Sequence, residues 1–282
     1  MIRPALVLLA LLAGCTTSPI TGRDQYLLVS ESQAVSQSAA AYSQMMADLG
    51  KKKKIETGTP RAQKVKEITD RLVKEAVRVR PDASSWAWEV QVIDDPKTVN
   101  AFCMAGGKMA IYAGMWDQLN ATDDEIAQVM GHEIAHALAD HTRERMSIAM
   151  TTAVATTAAA IVVGTRDNVG PGAGLALTGA QLAAVLAIQL PNSRQGESEA
   201  DQIGIELAAR AGYDPKAAVT LWEKMGKLGG GKGPPEFLST HPSPQNRAAR
   251  LAELGAQVEP LYQAAKAGKP TEAPKLITFP RK

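Results

Sequence analysis

Between Ile126 and Leu138 the only polar side chains are Gln128, His132, Glu133 and His136, and no other stretch constrains the fold as much. Thr122-Asp123-Asp124-Glu125 reads as a capping box, so a helix is predicted to begin at Asp123. Within it Ile126, Ala127, Val129, Met130, Ile134, Ala135, Ala137 and Leu138 cover most of the circumference, which predicts burial. Four residues advance about 400°, so His132 and His136 share one face, a turn apart, with Glu133 one step round. A glutamate and two histidines buried without compensation are strongly unfavourable. A cation offsets this. Two neutral imidazoles at this spacing both reach a zinc ion at about 2.0–2.1 Å, and Glu133 reaches a water beside it without being a ligand. The alternative is a surface helix that happens to carry two histidines, and the apolar circumference argues against it. The chain has only four histidines, His132, His136, His141 and His241, which leaves little room for His-Glu-x-x-His by chance.

Catalytic zinc needs a third protein ligand and an open position. The extended pattern that continues with a glycine and a third histidine is absent, since Ala139 and Thr142 hold those places. His141, five residues past His136, lies about 140° round the helix and cannot join the same metal from it, which leaves a supporting or helix-end role. Glu197 and Glu199, in Glu197-Ser198-Glu199-Ala200-Asp201, are the candidates for the third ligand. On a helical wheel Ala200, Ile203, Gly204, Leu207, Ala208 and Ala211 fall on the side of Glu197. Glu199, Gln202, Glu206 and Arg210 fall opposite, so Glu197 is predicted to point inward and Glu199 to solvent. Asp201 also faces in, placed to accept the free ring N–H of a ligand histidine. The plain alternative for Glu197 is a helix-start carboxylate favoured by the macrodipole.

At 45% hydrophobic and 21% charged, the 282 residues exclude disorder across the whole chain, and a formal net charge of +2 gives no support for nucleic-acid binding. Aromatics at 4% amid plentiful alanine predict mainly helix. Residues 1–14 carry Arg3 and an apolar run too short to span a bilayer, as in a cleaved signal. Leu12-Ala13-Gly14-Cys15 resembles the lipobox of bacterial lipoproteins, which implies lipidation of Cys15. The alternative is a plain secretory signal. Residues 15–54 read as a lipidated tether and N-terminal segment, and 266–282 as a loose tail. With Cys15 modified, Cys103 is the only free thiol and no disulfide is expected.

Thr59-Pro60 predicts a helix start, with Pro81 stopping it. Residues 86–93 read as a strand, and 99–104 with 109–112 as a hairpin across Ala105-Gly106-Gly107-Lys108. The apolar segments 149–163 and 175–190 read as a helical hairpin, each half short of spanning length. It is expected to be buried or to face a subunit or envelope partner, with membrane contact as the alternative. Asn192 or Ser193 caps a helix to Arg210, Asp214-Pro215 starts another, Gly226 to Pro235 is a loop, and Ser243-Pro244 caps a last helix ending near Gly255.

His132-Glu133-Ile134-Ala135-His136 followed some sixty residues later by Glu197-Ser198-Glu199-Ala200-Asp201 resembles the gluzincin zinc metalloproteases that include HtpX, LoiP, BepA and the CAAX-prenyl endopeptidases. Asn100-Ala101-Phe102 with Gly106-Gly107, Ser193-Arg194, and Thr240-His241-Pro242 extend the resemblance over about 60–255. It implies an α+β, mainly helical, zincin-like domain over 55–265, with a small β-sheet and an HExxH helix. It further implies one zinc ion held by His132, His136 and Glu197, with Glu133 as general base and Asp201 supporting the ligands. His241 is expected at the metal as a ligand, gate or oxyanion stabiliser, or else as a plain loop histidine. The lipobox and the lack of a following helical-repeat segment favour LoiP-type lipoproteins, with Thr16 after the cysteine pointing to the periplasmic face of the outer membrane. The expected substrates are unfolded or misassembled envelope proteins, bound as extended peptide along the edge of strand 99–104 or 109–112. The alternatives are an envelope chaperone or assembly lipoprotein whose zinc site is occluded, and a metallohydrolase that is not a peptidase.

Overall fold

Four helix starts fall where Ser30, Thr59, Thr122 and Ser193 cap them. The computed structural model describes residues 15–18, 20–162, 190–228, 236–242 and 246–271. An antiparallel ribbon comes first, β1 (Cys15–Thr17) with β2 (Asp24–Tyr26). Helix α1 (Glu31–Lys51) starts from a Ser30–Gln33 capping box. After β3 (Ile55–Glu56), α2 (Pro60–Val79) begins at Thr59, whose hydroxyl accepts from the Ala62 N–H, and ends before Pro81. Strands β4 (Glu89–Ile93), β5 (Ala101–Met104) and β6 (Lys108–Tyr112) follow, then a short α3 (Gly114–Asp117). The HExxH helix is α4 (Asp123–Leu138), with the predicted Thr122–Glu125 capping box in place. Next come α5 (His141–Val162) and α6 (Arg194–Arg210, capped by Ser193). The last three helices are α7 (Ala217–Leu228), α8 (Glu236–Thr240) and α9 (Arg247–Lys266).

The sheet runs β3-β4-β6-β5. β5 and β6 form the predicted hairpin, from Ala101 opposite Ile111 to Met104 opposite Lys108, and β4 runs parallel to β6 on its other side. The hairpin turn needs glycine: Gly106 and Gly107 have φ of 82° and 79°, and a Cβ on Gly107 would sit 2.5 Å from the Trp88 ring. Helix α4 lies under the sheet and against α2 and α6, and every residue from Glu125 to Leu138 is buried. This is the α+β, mainly helical, zincin-like arrangement that the HExxH pattern implied. Among the described residues no helix is long and apolar enough to cross a membrane.

Several expectations need correction. Within 15–54, read as a lipidated tether and N-terminal segment, the structure has a ribbon and a 21-residue helix, because Tyr42, Ala34 and Ala41 pack into a core with Phe102, Met104 and Ala110. The strand expected at 86–93 begins only at Glu89, since Trp88 turns back to donate from its ring N–H to the Ala83 carbonyl. Strand 109–112 has no free edge, because β6 sits between β4 and β5. The last helix runs on to Lys266, and Gly255 lies inside it, buried where an added Cβ would stand 3.7 Å from Pro215. The helix expected from 149 starts at His141; the remainder of that hairpin, the 1–14 segment, Ser243-Pro244 and residues 272–282 lie outside the described residues.

The α4–α6 crossing is made by two glycines. A Cβ on Gly204 would lie 2.7 Å from the His132 amide nitrogen, and one on Gly131 would lie 2.8 Å from the Gly204 carbonyl oxygen. Glu197 stands seven residues before Gly204, about two turns away, so this approach brings it over the histidines. Gly204→Ala is expected to force the helices apart, with a loss of about 1–3 kcal/mol of stability by overpacking. Thermal unfolding of the full chain together with a metal titration checks it, and a wild-type Tm with intact metal binding would contradict it.

Candidate metal centre

Four side chains from three segments converge. His132 and His136 come from α4, Glu197 from the first turn of α6, and His241 from the residue after α8. The His132 Nε2–His136 Nε2 distance is 3.1 Å, and the two oxygens of Glu197 lie 3.4 and 3.3 Å from those nitrogens. Nδ1 of His241 lies 3.0 Å from Glu197 Oε1 and 3.3 Å from His132 Nε2. All four are buried, and their donor atoms fit within 4.8 Å of one another. Donors held about 2.0–2.1 Å from one tetrahedral ion lie about 3.3–3.4 Å apart, close to the 3.0–3.4 Å between these atoms.

The hydrogen bonds behind the rings fix which nitrogens are bare. Nδ1 of His132 faces Asp201 Oδ1 at 3.2 Å and is therefore the protonated nitrogen. Nδ1 of His136 lies 2.8 Å from His141 Nδ1, and His141 Nε2 donates to Glu199 Oε2 at 2.8 Å. With the His141 proton on Nε2, its Nδ1 accepts from His136. When both rings are neutral, as metal binding requires, these bonds leave each Nε2 as the free lone pair turned inward toward Glu197. The donor set of two imidazoles and a carboxylate fits zinc.

Burial opposes charge on His132, yet the Glu197 carboxylate and Asp201 outweigh it and raise its pKa to about 9. Burial depresses His136 well below the usual imidazole range. Burial would also raise Glu197, but the charges of His241 and His132 hold it well below the usual carboxylate range. Burial pushes the Glu133 carboxyl up. Its Oε1 makes no hydrogen bond although it lies 3.3 Å from His241 Nε2.

Two features escaped the sequence reading. Arg247, at the start of α9, donates from Nη1 to Glu197 Oε2 at 2.9 Å and from Nη2 to Asp201 Oδ1 at 2.6 Å, with its guanidinium 3.7 Å over the Trp222 ring. It follows Thr-His-Pro by five residues, which was the available signal. Asn192 was read only as a cap, yet it accepts from Arg145 and its Nδ2 lies 3.1 Å from His241 Nδ1. One prediction is reversed: Glu199 is 1% exposed rather than facing solvent, because His141 and Arg23 meet it on the side the wheel assigned to water.

In the metal-free site His132 carries a proton on the nitrogen that the metal needs. Below about pH 9 that proton competes, so zinc affinity is expected to fall by about tenfold per pH unit on acidification and to level off above. Chelator-competition titrations across that range check it, and a flat profile would contradict it.

Residues 60–255 match peptidase family M48. The chain is 38% identical over 185 residues to the mitochondrial metalloendopeptidase OMA1 of Arabidopsis thaliana, covering 65% of this chain and 35% of that protein. It is 33% identical over 245 residues to the mitochondrial metalloendopeptidase OMA1 of Bos taurus, covering 84% and 45%. It is 31% identical over 164 residues to the beta-barrel assembly-enhancing protease of Escherichia coli, covering 58% and 34%. The chain thus spans about a third to a half of the length of these relatives.

Proposed function

The chain belongs to peptidase family M48, and from that premise we propose that it is a zinc metalloendopeptidase cleaving unfolded or misassembled proteins of the cell envelope. The observation that carries the reading is the convergence of His132, His136 and Glu197 beside the unbonded Oε1 of Glu133. Zinc held there supplies the Lewis acidity that acidifies a water and polarises a peptide carbonyl. Glu133 takes the proton of the attacking water at Oε1 and delivers it to the leaving amine, and its raised pKa suits both halves of that transfer. Asp201 and Arg247 hold His132 and Glu197 in place during the reaction.

Substrate binds as an added strand. Of the two hairpin strands only β5 lies at an edge of the sheet, and main-chain pairing along it reads shape more than sequence, as a protease of unfolded chains requires. At rest that edge is taken: the Val99 carbonyl accepts from the Phe237 N–H at 3.1 Å and the Cys103 carbonyl from the Thr142 hydroxyl at 3.3 Å. The fourth donor place is taken by His241. We read His241 as a gate that leaves with α8 when a substrate arrives. The same occlusion favours a second reading, an envelope chaperone or assembly factor whose zinc site rarely opens.

The location follows from the same reasoning. The Leu12-Ala13-Gly14-Cys15 segment supports a LoiP-type lipoprotein anchored through Cys15 at the periplasmic face of the outer membrane. A homo-oligomer or an envelope partner through residues 149–190 belongs to the same proposal.

Two variants test it. Glu133→Gln is expected to lower cleavage of an unfolded casein-type substrate by about 10²–10⁴-fold while zinc content stays at wild type. Equal digestion by both proteins rejects the peptidase reading, and envelope protection that survives the substitution favours the chaperone. His241→Ala is expected to raise basal cleavage several-fold, and an unchanged rate removes the gate.

A further inference from the structure

The N-terminal ribbon reaches the metal centre through a chain of hydrogen bonds. Arg23, just before β2, donates from Nε to Glu199 Oε1 at 2.9 Å. Its terminal nitrogens hold both oxygens of Glu144, on α5, at 2.9 and 2.7 Å. The other oxygen of Glu199 accepts from His141 Nε2, and His141 Nδ1 accepts from His136 Nδ1. Glu199 and His141 are almost fully buried, and Arg23 is 14% exposed. Beside the relay Gln25, also buried, donates to the carbonyl of Ala139 at the end of α4 at 2.8 Å.

With His141 neutral, the relay has one consistent order of protons. An ionised Glu199 accepts twice, from Arg23 and from His141. His141 is then a donor at one nitrogen and an acceptor at the other, which obliges His136 to donate from Nδ1 and leaves its Nε2 bare. Carboxylates behind ligand histidines set ring orientation and raise ligand basicity. A buried carboxylate keeps its charge only when paired, and Arg23 is the cation on Glu199.

We propose that the N-terminal ribbon is part of the metal centre, with Arg23 acting as a positioning residue that fixes the zinc ligand His136 through Glu199 and His141. The inference rests on the zinc assignment but not on proteolysis, so a chain that binds zinc and cleaves nothing still tests it.

The test uses the full chain, with zinc affinity read by chelator competition and ligand geometry by the visible spectrum of the cobalt(II)-loaded protein. Arg23→Ala and Glu199→Gln are each expected to weaken zinc binding by about 10–100-fold and to shift the cobalt bands. The double variant should lose no more than the worse single one, because both break one relay. Arg23→Lys, able to keep one cationic contact with Glu199, should fall between wild type and Arg23→Ala. Thr17→Ala removes a bond within the ribbon, to Asp24, without touching the relay, and should bind zinc as wild type does. Wild-type affinity in folded Arg23→Ala, additive losses in the double variant, or an equal loss in Thr17→Ala would overturn the proposal. Should Arg23→Ala not fold, wild-type affinity in both Arg23→Lys and Glu199→Gln overturns it. A wild-type chain that binds no zinc fails the earlier assignment and this inference with it.

Discussion

Two ring nitrogens and a carboxylate face one another at 3.1–3.4 Å, out of reach of water, and their lone pairs repel unless a cation, a proton or a metal ion, lies between them. That single requirement organises the molecule. The two histidines must stand on one helix a turn apart, and the helix must be buried so that water does not compete. The carboxylate must arrive from a second helix that touches the first. Gly131 and Gly204 provide that touch, and a methyl group on either would meet backbone atoms within 3 Å. The sheet then covers one side of α4, while α2 and α6 cover others.

Around this point charges alternate outward in two parallel series. Behind His132 stands Asp201, and behind Asp201 stands Arg247. Behind His136 stand His141, Glu199 and Arg23. Each guanidinium is shared by two carboxylates, Arg247 by Glu197 and Asp201 and Arg23 by Glu199 and Glu144. Breaking such a buried pair by removing one partner leaves an uncompensated ion, at a cost of about 3–5 kcal/mol. The arginines come from opposite ends of the chain, so the first and last segments meet at the same centre. Neither is an accessory to the fold between them.

The parts legible in the sequence were those set by local rules. The Thr122 cap, the Thr59-Pro60 start, the Gly106-Gly107 hairpin and the inward direction of Glu197 all follow from residues a few positions apart. The helical wheel failed at Glu199 for an instructive reason. It divides a helix into a core side and a water side, but α6 is contacted on two sides, and the second is covered by Arg23 and His141 from distant segments. Arg247 escaped for the same cause, since an arginine in a polar stretch looks like surface until Glu197, Asp201 and Trp222 are seen around it. The order of the strands was equally hidden: two strands of a hairpin look alike in sequence, and only the parallel pairing of β4 with β6 shows which one keeps an edge.

Phe237 ties two of these features into one. Its amide donates to the Val99 carbonyl at the rim of β5, and its ring stacks on His241 with centroids 4.3 Å apart. His241 in turn lies against Glu197 and Glu133, while its own backbone N–H bonds to the Phe237 carbonyl. A peptide pairing with the upper end of β5 must displace the Phe237 amide. That displacement moves the one ring against which His241 is stacked and the one carbonyl that holds its backbone. In the proposed gate, vacating the strand edge and vacating the fourth donor place are one event, because Phe237 is common to both.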